Sequence, residues 1–233
     1  MAVAPEDLSM ENQEQDRSQH LVILAILASI YLLNDFLFMR AKSYGEWLAI
    51  DYGSRFLAIG IILCLIKQKI SHPAEFGIKH IPLRQGLLWM LLLTLTGLLI
   101  DQAVWRFFEK ILPHTQLAAM PKIENPLVEA FDLTFGVTLV AISEEIVFRG
   151  YCYAALKDRM SPRLLVPVSA LLFGLIHWST GLHAVISTAL WGLLPMVAMI
   201  RTGSVMPAVI AHYITDLVSQ GGFVPENWFN FMK

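Results

Sequence analysis

Apolar stretches recur along the whole length of this chain, and seven of them approach the roughly 20 residues that a helix needs to cross the hydrocarbon core of a bilayer. They lie near 21–39, 47–66, 86–105, 127–148, 164–180, 182–200 and 205–220. The fifth and sixth are separated by little more than Ser179-Thr180-Gly181, so the pattern predicts antiparallel neighbours. The segment 107–126 holds three prolines together with Lys110, Ile111, Leu117 and Met120, the pattern of a broken element lying at the membrane interface. No internal repeat marks the chain as two duplicated halves.

Composition supports the same picture. Hydrophobic residues make up 56% of the 233 positions and charged residues only 15%, against roughly 25% charged in an average soluble domain. The mean hydropathy is +0.57. The expected fold is therefore all-α, a polytopic transmembrane bundle of about seven spans enclosing a cavity within the membrane, with residues 21–233 as one integral membrane domain.

Charge refines the layout. Residues 1–20 carry Glu6, Asp7, Glu11, Glu14 and Asp16 against Arg17, the wrong sign for the start of a secretory signal, so this segment reads as a flexible acidic tail before a retained anchor. The loop 67–84 holds four Lys/Arg and the loop 157–163 holds three, which favours both on the cytoplasmic side and places the N-terminus there too. Arg106, Lys110 and Lys122 weigh in the other direction. A net charge of −2 and no nucleic-acid-binding motif exclude nucleic acid as an expected partner. Cys64 and Cys152 fit neither a disulfide framework nor a zinc site.

Ionisable side chains inside a bilayer are costly unless paired, so each is a candidate for function. Here they gather in the C-terminal half: Glu144, Glu145 and Arg149 at the end of the fourth stretch, His177 in the fifth, His212 and Asp216 in the seventh. Glu145 and Arg149 are four apart, a spacing that pairs them on one helix face. Glu144 lies about 100° around the helix, so its carboxylate points elsewhere and stays available for proton transfer. His212 and Asp216, also four apart, share a face, and His177 can reach the same cavity from another span. A hydrolytic reading follows: Glu144 takes a proton from water, His177 positions that water or shuttles the proton, and His212 with Asp216 stabilises the tetrahedral oxyanion.

Other polar residues have plainer readings. Asp51 and Arg55, four apart, read as an ion pair at the membrane boundary. Asn34 and Asp35, near the end of the first stretch, read as interfacial, and His183 as an interfacial or loop histidine.

The three clusters together resemble the CPBP family of glutamic intramembrane proteases, which includes CAAX prenyl endopeptidases and bacteriocin-processing enzymes. The family pattern is Glu-Glu-x-x-x-Arg, then Phe-x-x-x-His, then His-x-x-x-Asn or Asp, and it is met by Glu144, Glu145 and Arg149, by Phe173 and His177, and by His212 and Asp216. The resemblance implies a helical bundle, Glu144 as catalytic base, no cofactor or metal, and a membrane-tethered protein or peptide as substrate. It also implies supporting roles for Glu145, Arg149 and Phe173, and residence in the cytoplasmic membrane of a bacterium. Asp216 stands where well-studied relatives carry Asn, and an ionised Asp would repel an oxyanion. It must either be kept neutral by burial near Glu144 or serve to orient His212. Two other readings stay open on the residues alone: a zinc protease using Glu144, His177, His212 and Asp216 as ligands, although a His-Glu-x-x-His helix is absent, and a membrane protein that binds or transports a partner without chemistry.

Overall fold

A computed structural model describes residues 5–223, with side chains described from residue 18 onward. Among the described residues the chain forms seven helices: α1 (Pro5–Phe38), α2 (Tyr44–Lys67), α3 (Leu83–Ile111), α4 (Pro126–Leu156), α5 (Pro162–Leu175), α6 (Leu182–Thr202) and α7 (Met206–Gln220). Five segments are long and apolar enough to cross a membrane: Ser18–Phe38 of α1, and α2, α3, α4 and α6. At about 1.5 Å rise per residue, α5 and α7 fall short of the hydrocarbon thickness, so five of the seven expected stretches have membrane-crossing length. Local sequence sets both lengths. Pro162 opens α5, whose last helical residue, Leu175, follows Gly174, while α7 starts with Pro207 in its first turn and stops at Gly221.

The segment expected to be a flexible tail is helical from Pro5 and continuous with α1. Where a broken interfacial element was expected, α3 instead runs on to Ile111, and the chain is non-helical only from Leu112 to Asn125. The side chain of Asn125 then caps α4, accepting a hydrogen bond from the Leu127 amide at 2.9 Å ahead of Pro126 in the first turn.

Three of the helical stretches widen into π turns, at Ile100–Val104 in α3 and at Asp132–Gly136 and Ile146–Tyr151 in α4. Such turns shift the angular register of every side chain beyond them and recur at functional sites. Here Asp101, Asp132 and Gly136 from two of them line the central cavity, and the third follows directly on Glu145.

Helix α4 is the centre of the bundle: its first half packs against α2 and α7, its second half against α1, α5 and α6. Helices α5 and α6 form a tight antiparallel hairpin, as the short connection requires. Gly174 makes it possible, because a Cβ there would lie 2.5 Å from the Val185 carbonyl oxygen and 2.7 Å from Ala189. The core is built from Leu27 and Tyr31 of α1, Phe148 and Tyr151 of α4, Phe173 of α5 and Met196 and Met199 of α6, all nearly inaccessible. Outside it, Leu87, Leu88, Leu91, Leu95 and Leu99 of α3 stay exposed, a stripe suited to lipid contact and unsuited to water.

Candidate active site

A cavity of about 360 Å³ lies within the bundle, lined by residues of all seven helices and of the turn after α5. Glu144, His177, His212 and Asp216, brought together by sequence spacing alone, all face this one space, as does Phe173. Glu144 is only 2% exposed.

The two adjacent glutamates both face the ring of His212, one at each nitrogen, and differ in the arginine each meets. Glu145, fully buried, lies with Oε2 3.2 Å from Arg149 Nε and Oε1 2.9 Å from His212 Nδ1. The contact to Arg149 is one of charge and not an aligned hydrogen bond, since no guanidinium nitrogen of Arg149 finds a hydrogen-bonding partner. The guanidinium is instead packed 3.9 Å above the centre of the Phe173 ring and 5.1 Å from that of Trp191, a cation–π arrangement in a space without water-like partners. Gly192 leaves room for it, a Cβ there falling 3.4 Å from Arg149 Nη2.

Glu144 is less free than its angular position suggested. Its Oε1 lies 3.0 Å from Arg55 Nη2, reaching across from α2. Its Oε2 has no hydrogen-bond partner and lies 3.9 Å from His212 Nε2. The expected pair of Asp51 and Arg55 is present at 2.9 Å, but it is buried and shared with Glu144, so the plain account of a boundary ion pair does not hold. Sequence spacing had no means of revealing a partner 89 positions away from Glu144.

His212 is pinned on both sides. Its Nδ1 meets Glu145, and its Nε2 points between Glu144 Oε2 and Asp216 Oδ2, the latter at 3.4 Å. Carboxylates facing both ring nitrogens suit a ring that donates from each. The Asp216 side chain is 24% exposed, so burial, the premise for keeping it neutral, is weaker than expected, and its contact with His212 supports the orienting role. His177 is held through Nδ1 and the Phe173 carbonyl oxygen at 2.9 Å, one turn back, which leaves Nε2 as its second polar atom. The Phe173 ring stands edge-on to both imidazoles, 5.1 Å from His177 and 6.0 Å from His212.

One further expectation needs correction. Asn34 and Asp35 are buried cavity-lining residues and not interfacial ones; Asp35 Oδ2 accepts from the Ser179 amide at 3.0 Å and its hydroxyl at 2.7 Å, tying α1 to the turn after His177. His183, the second residue of α6, is buried edge-on against Trp105 and lies outside the cavity lining, as its exclusion from the site on sequence grounds requires. Missed altogether was Trp191, whose ring lies 4.8 Å from that of His212 and whose indole nitrogen is buried without a hydrogen-bond acceptor. Among the described residues, six polar atoms of the lining side chains, Tyr31 Oη, Asn34 Oδ1, Arg55 Nε, Glu144 Oε2, Ser187 Oγ and Trp191 Nε1, are buried without a hydrogen-bond partner, which is unusual unless something else satisfies them.

Among the described residues no group of three or more His, Cys, Asp and Glu side chains is arranged to hold a metal ion. Of the four groups read as alternative zinc ligands, His212 has carboxylates facing both nitrogens and His177 Nδ1 faces a carbonyl.

A family model described as type II CAAX prenyl endopeptidase Rce1-like matches residues 126–218, the stretch from the start of α4 into α7 that contains all three motifs. No curated protein and no solved structure matches the chain.

Proposed function

Residues 126–218 carry a CAAX-protease-type domain in a bundle with five membrane-length helices, and on that basis we propose that the chain is an intramembrane endopeptidase acting through a water activated by Glu144. The observation that carries this reading is the state of Glu144: a buried carboxylate with one oxygen held by Arg55 and the other unpartnered, 3.9 Å from His212 Nε2, in a cavity shared with His177. A water seated between Oε2 and Nε2 can hydrogen-bond to both.

Each step uses a group already in place. Glu144 Oε2 accepts a proton as the water oxygen attacks the peptide carbonyl carbon. The carbonyl π bond gives an oxyanion, toward which His212 donates from Nε2, its ring held by Glu145 at Nδ1 and steered by Asp216. The proton on Glu144 then passes to the amide nitrogen, directly or through His177, as the C–N bond breaks. In this reading the proton on His212 Nε2 polarises the carbonyl and the Glu144 carboxylate generates the nucleophile, so neither step calls for a metal.

A membrane-tethered protein or peptide is the substrate this geometry suits, since the reacting groups lie inside a lipid-facing bundle. Helices that alternate in direction put the connections after α2, α4 and α6 at one end, with Lys67, Lys69, Lys79, Lys157, Arg159 and Arg201 close by. That end, with the N-terminus, is assigned to the cytoplasm. Comparing membrane peptides from cells carrying the wild type and Glu144→Gln tests the reading: intact precursors should accumulate in the variant, and wild-type cleavage should survive chelation. Equal peptide profiles would refute proteolysis, and chelator-sensitive cleavage with stoichiometric zinc would refute the metal-free chemistry.

A further inference from the structure

We propose that Arg55 of α2 is a positioning residue for the base, fixing the Glu144 carboxylate so that Oε2 alone is presented to water; this rests on the proteolytic reading above. Arg55 lies outside residues 126–218 and belongs to none of the three motifs.

A guanidinium in the middle of a membrane bundle is costly unless its charge is matched. Arg55 is 6% exposed, and its matching is specific: Nη2 lies 2.9 Å from Asp51 Oδ1 on its own helix and 3.0 Å from Glu144 Oε1 across the interface. Its guanidinium carbon also sits 4.8 Å from the centre of the Tyr31 ring of α1, so three helices define where the charge stands. Asp51 thus holds Arg55 from behind, and Arg55 holds Glu144 from the side.

The consequence falls on the two oxygens of Glu144. With Oε1 tethered, rotation about the terminal side-chain torsion is blocked, and Oε2 is left facing His212 Nε2 without a partner. A carboxylate without this tether could turn either oxygen toward His212 or pair with it directly, closing the gap that the water needs. Orientation errors of about 1 Å cost on the order of 10²-fold in rate, so the tether is a kinetic device as well as a packing contact. Arg55 is also the sole Lys or Arg among the cavity-lining residues, and both of its close contacts are to carboxylates of the protein.

A purely structural Arg55, stapling α2 to α4, would give a different signature. The full chain, purified and reconstituted, is to be assayed on a membrane-tethered peptide found to be cleaved by the wild type, with KM, kcat and thermal midpoint measured for Arg55→Gln, Arg55→Lys, Asp51→Asn and Glu144→Gln. Positioning predicts that Arg55→Gln lowers kcat about 10²-fold with KM within twofold, and that Arg55→Lys recovers at least tenfold of the loss. Asp51→Asn, which leaves both other members in place, should lower kcat severalfold at unchanged KM, and it decides the matter if Arg55→Gln does not fold. A kcat within threefold of wild type in folded Arg55→Gln, no recovery by lysine, or an unchanged kcat in Asp51→Asn overturns the proposal. The control separates the two claims: continued cleavage by Glu144→Gln would defeat the proteolytic reading itself, whereas an inactive Glu144→Gln beside a normal Arg55→Gln defeats only the positioning role.

Discussion

The two halves of this bundle contribute to the cavity in different currencies. Helices α4, α5 and α7, with the turn after α5, supply Glu144, His177, His212 and Asp216, side chains whose chemistry is announced by their spacing. Helices α1 and α2 supply Arg55, Asp51, Asp35 and Asn34, none of which forms a recognisable motif; Arg55 touches Glu144 and is itself held by Asp51, Asp35 bonds to the turn that follows His177, and Asn34 lines the cavity. On the reading proposed above, the comparison teaches that the groups assigned to proton transfer lie together in one half, while the other half adds a contact to the base, from Arg55 to Glu144, that no motif announces.

Variants on either side of this division should fail differently. The largest effect is expected at His212. Replacing it by Ala removes the donor to the oxyanion and leaves Glu145 with Arg149 alone, and kcat should fall by about 10³-fold, measured in single-turnover assays of reconstituted protein; a loss confined to KM would argue that His212 binds substrate and does not act on the transition state. A middling effect is expected at Asp35, on the other half. Asp35→Ala strands the buried Ser179 amide and hydroxyl, which should cost about 1–3 kcal/mol of stability in a thermal-unfolding assay and lower kcat only modestly; a loss of rate as large as at His212, without destabilisation, would erase the distinction between the halves. The smallest effect is expected at Asp216. Asn retains an acceptor oxygen for His212 Nε2, so Asp216→Asn should stay within about tenfold of wild type while Asp216→Ala falls further; equal losses would remove Asp216 from the orienting role.

How much of this was legible beforehand follows the same division. Contacts one helical turn apart, such as Glu145 with Arg149 at 3.2 Å and Asp51 with Arg55 at 2.9 Å, follow from helix geometry and were anticipated. The 100° step between neighbours accounts for Glu144 and Glu145 meeting different arginines, but not for both facing His212. What spacing cannot supply is which helix stands opposite. The tether from Arg55 to Glu144, the bond from Asp35 to Ser179 and the packing of Trp191 on His212 all depend on tertiary placement. Hydropathy located seven helices and gave α7 nearly to its ends, but it ran the fifth stretch on to residue 180, because the apolar pattern continues past Gly174 where α5 stops at Leu175. The π turns left no mark in the pattern either, although they set the facing of Asp101 and Asp132.

The central claim is that Glu144 takes the proton from a water whose oxygen enters the product. Cleavage of a membrane-tethered peptide by reconstituted protein in ¹⁸O-labelled water reads this directly by mass spectrometry. One labelled oxygen should appear in the new carboxyl group with the wild type, and no cleaved product should form with folded Glu144→Gln. Labelled product from Glu144→Gln at the wild-type rate would contradict the account.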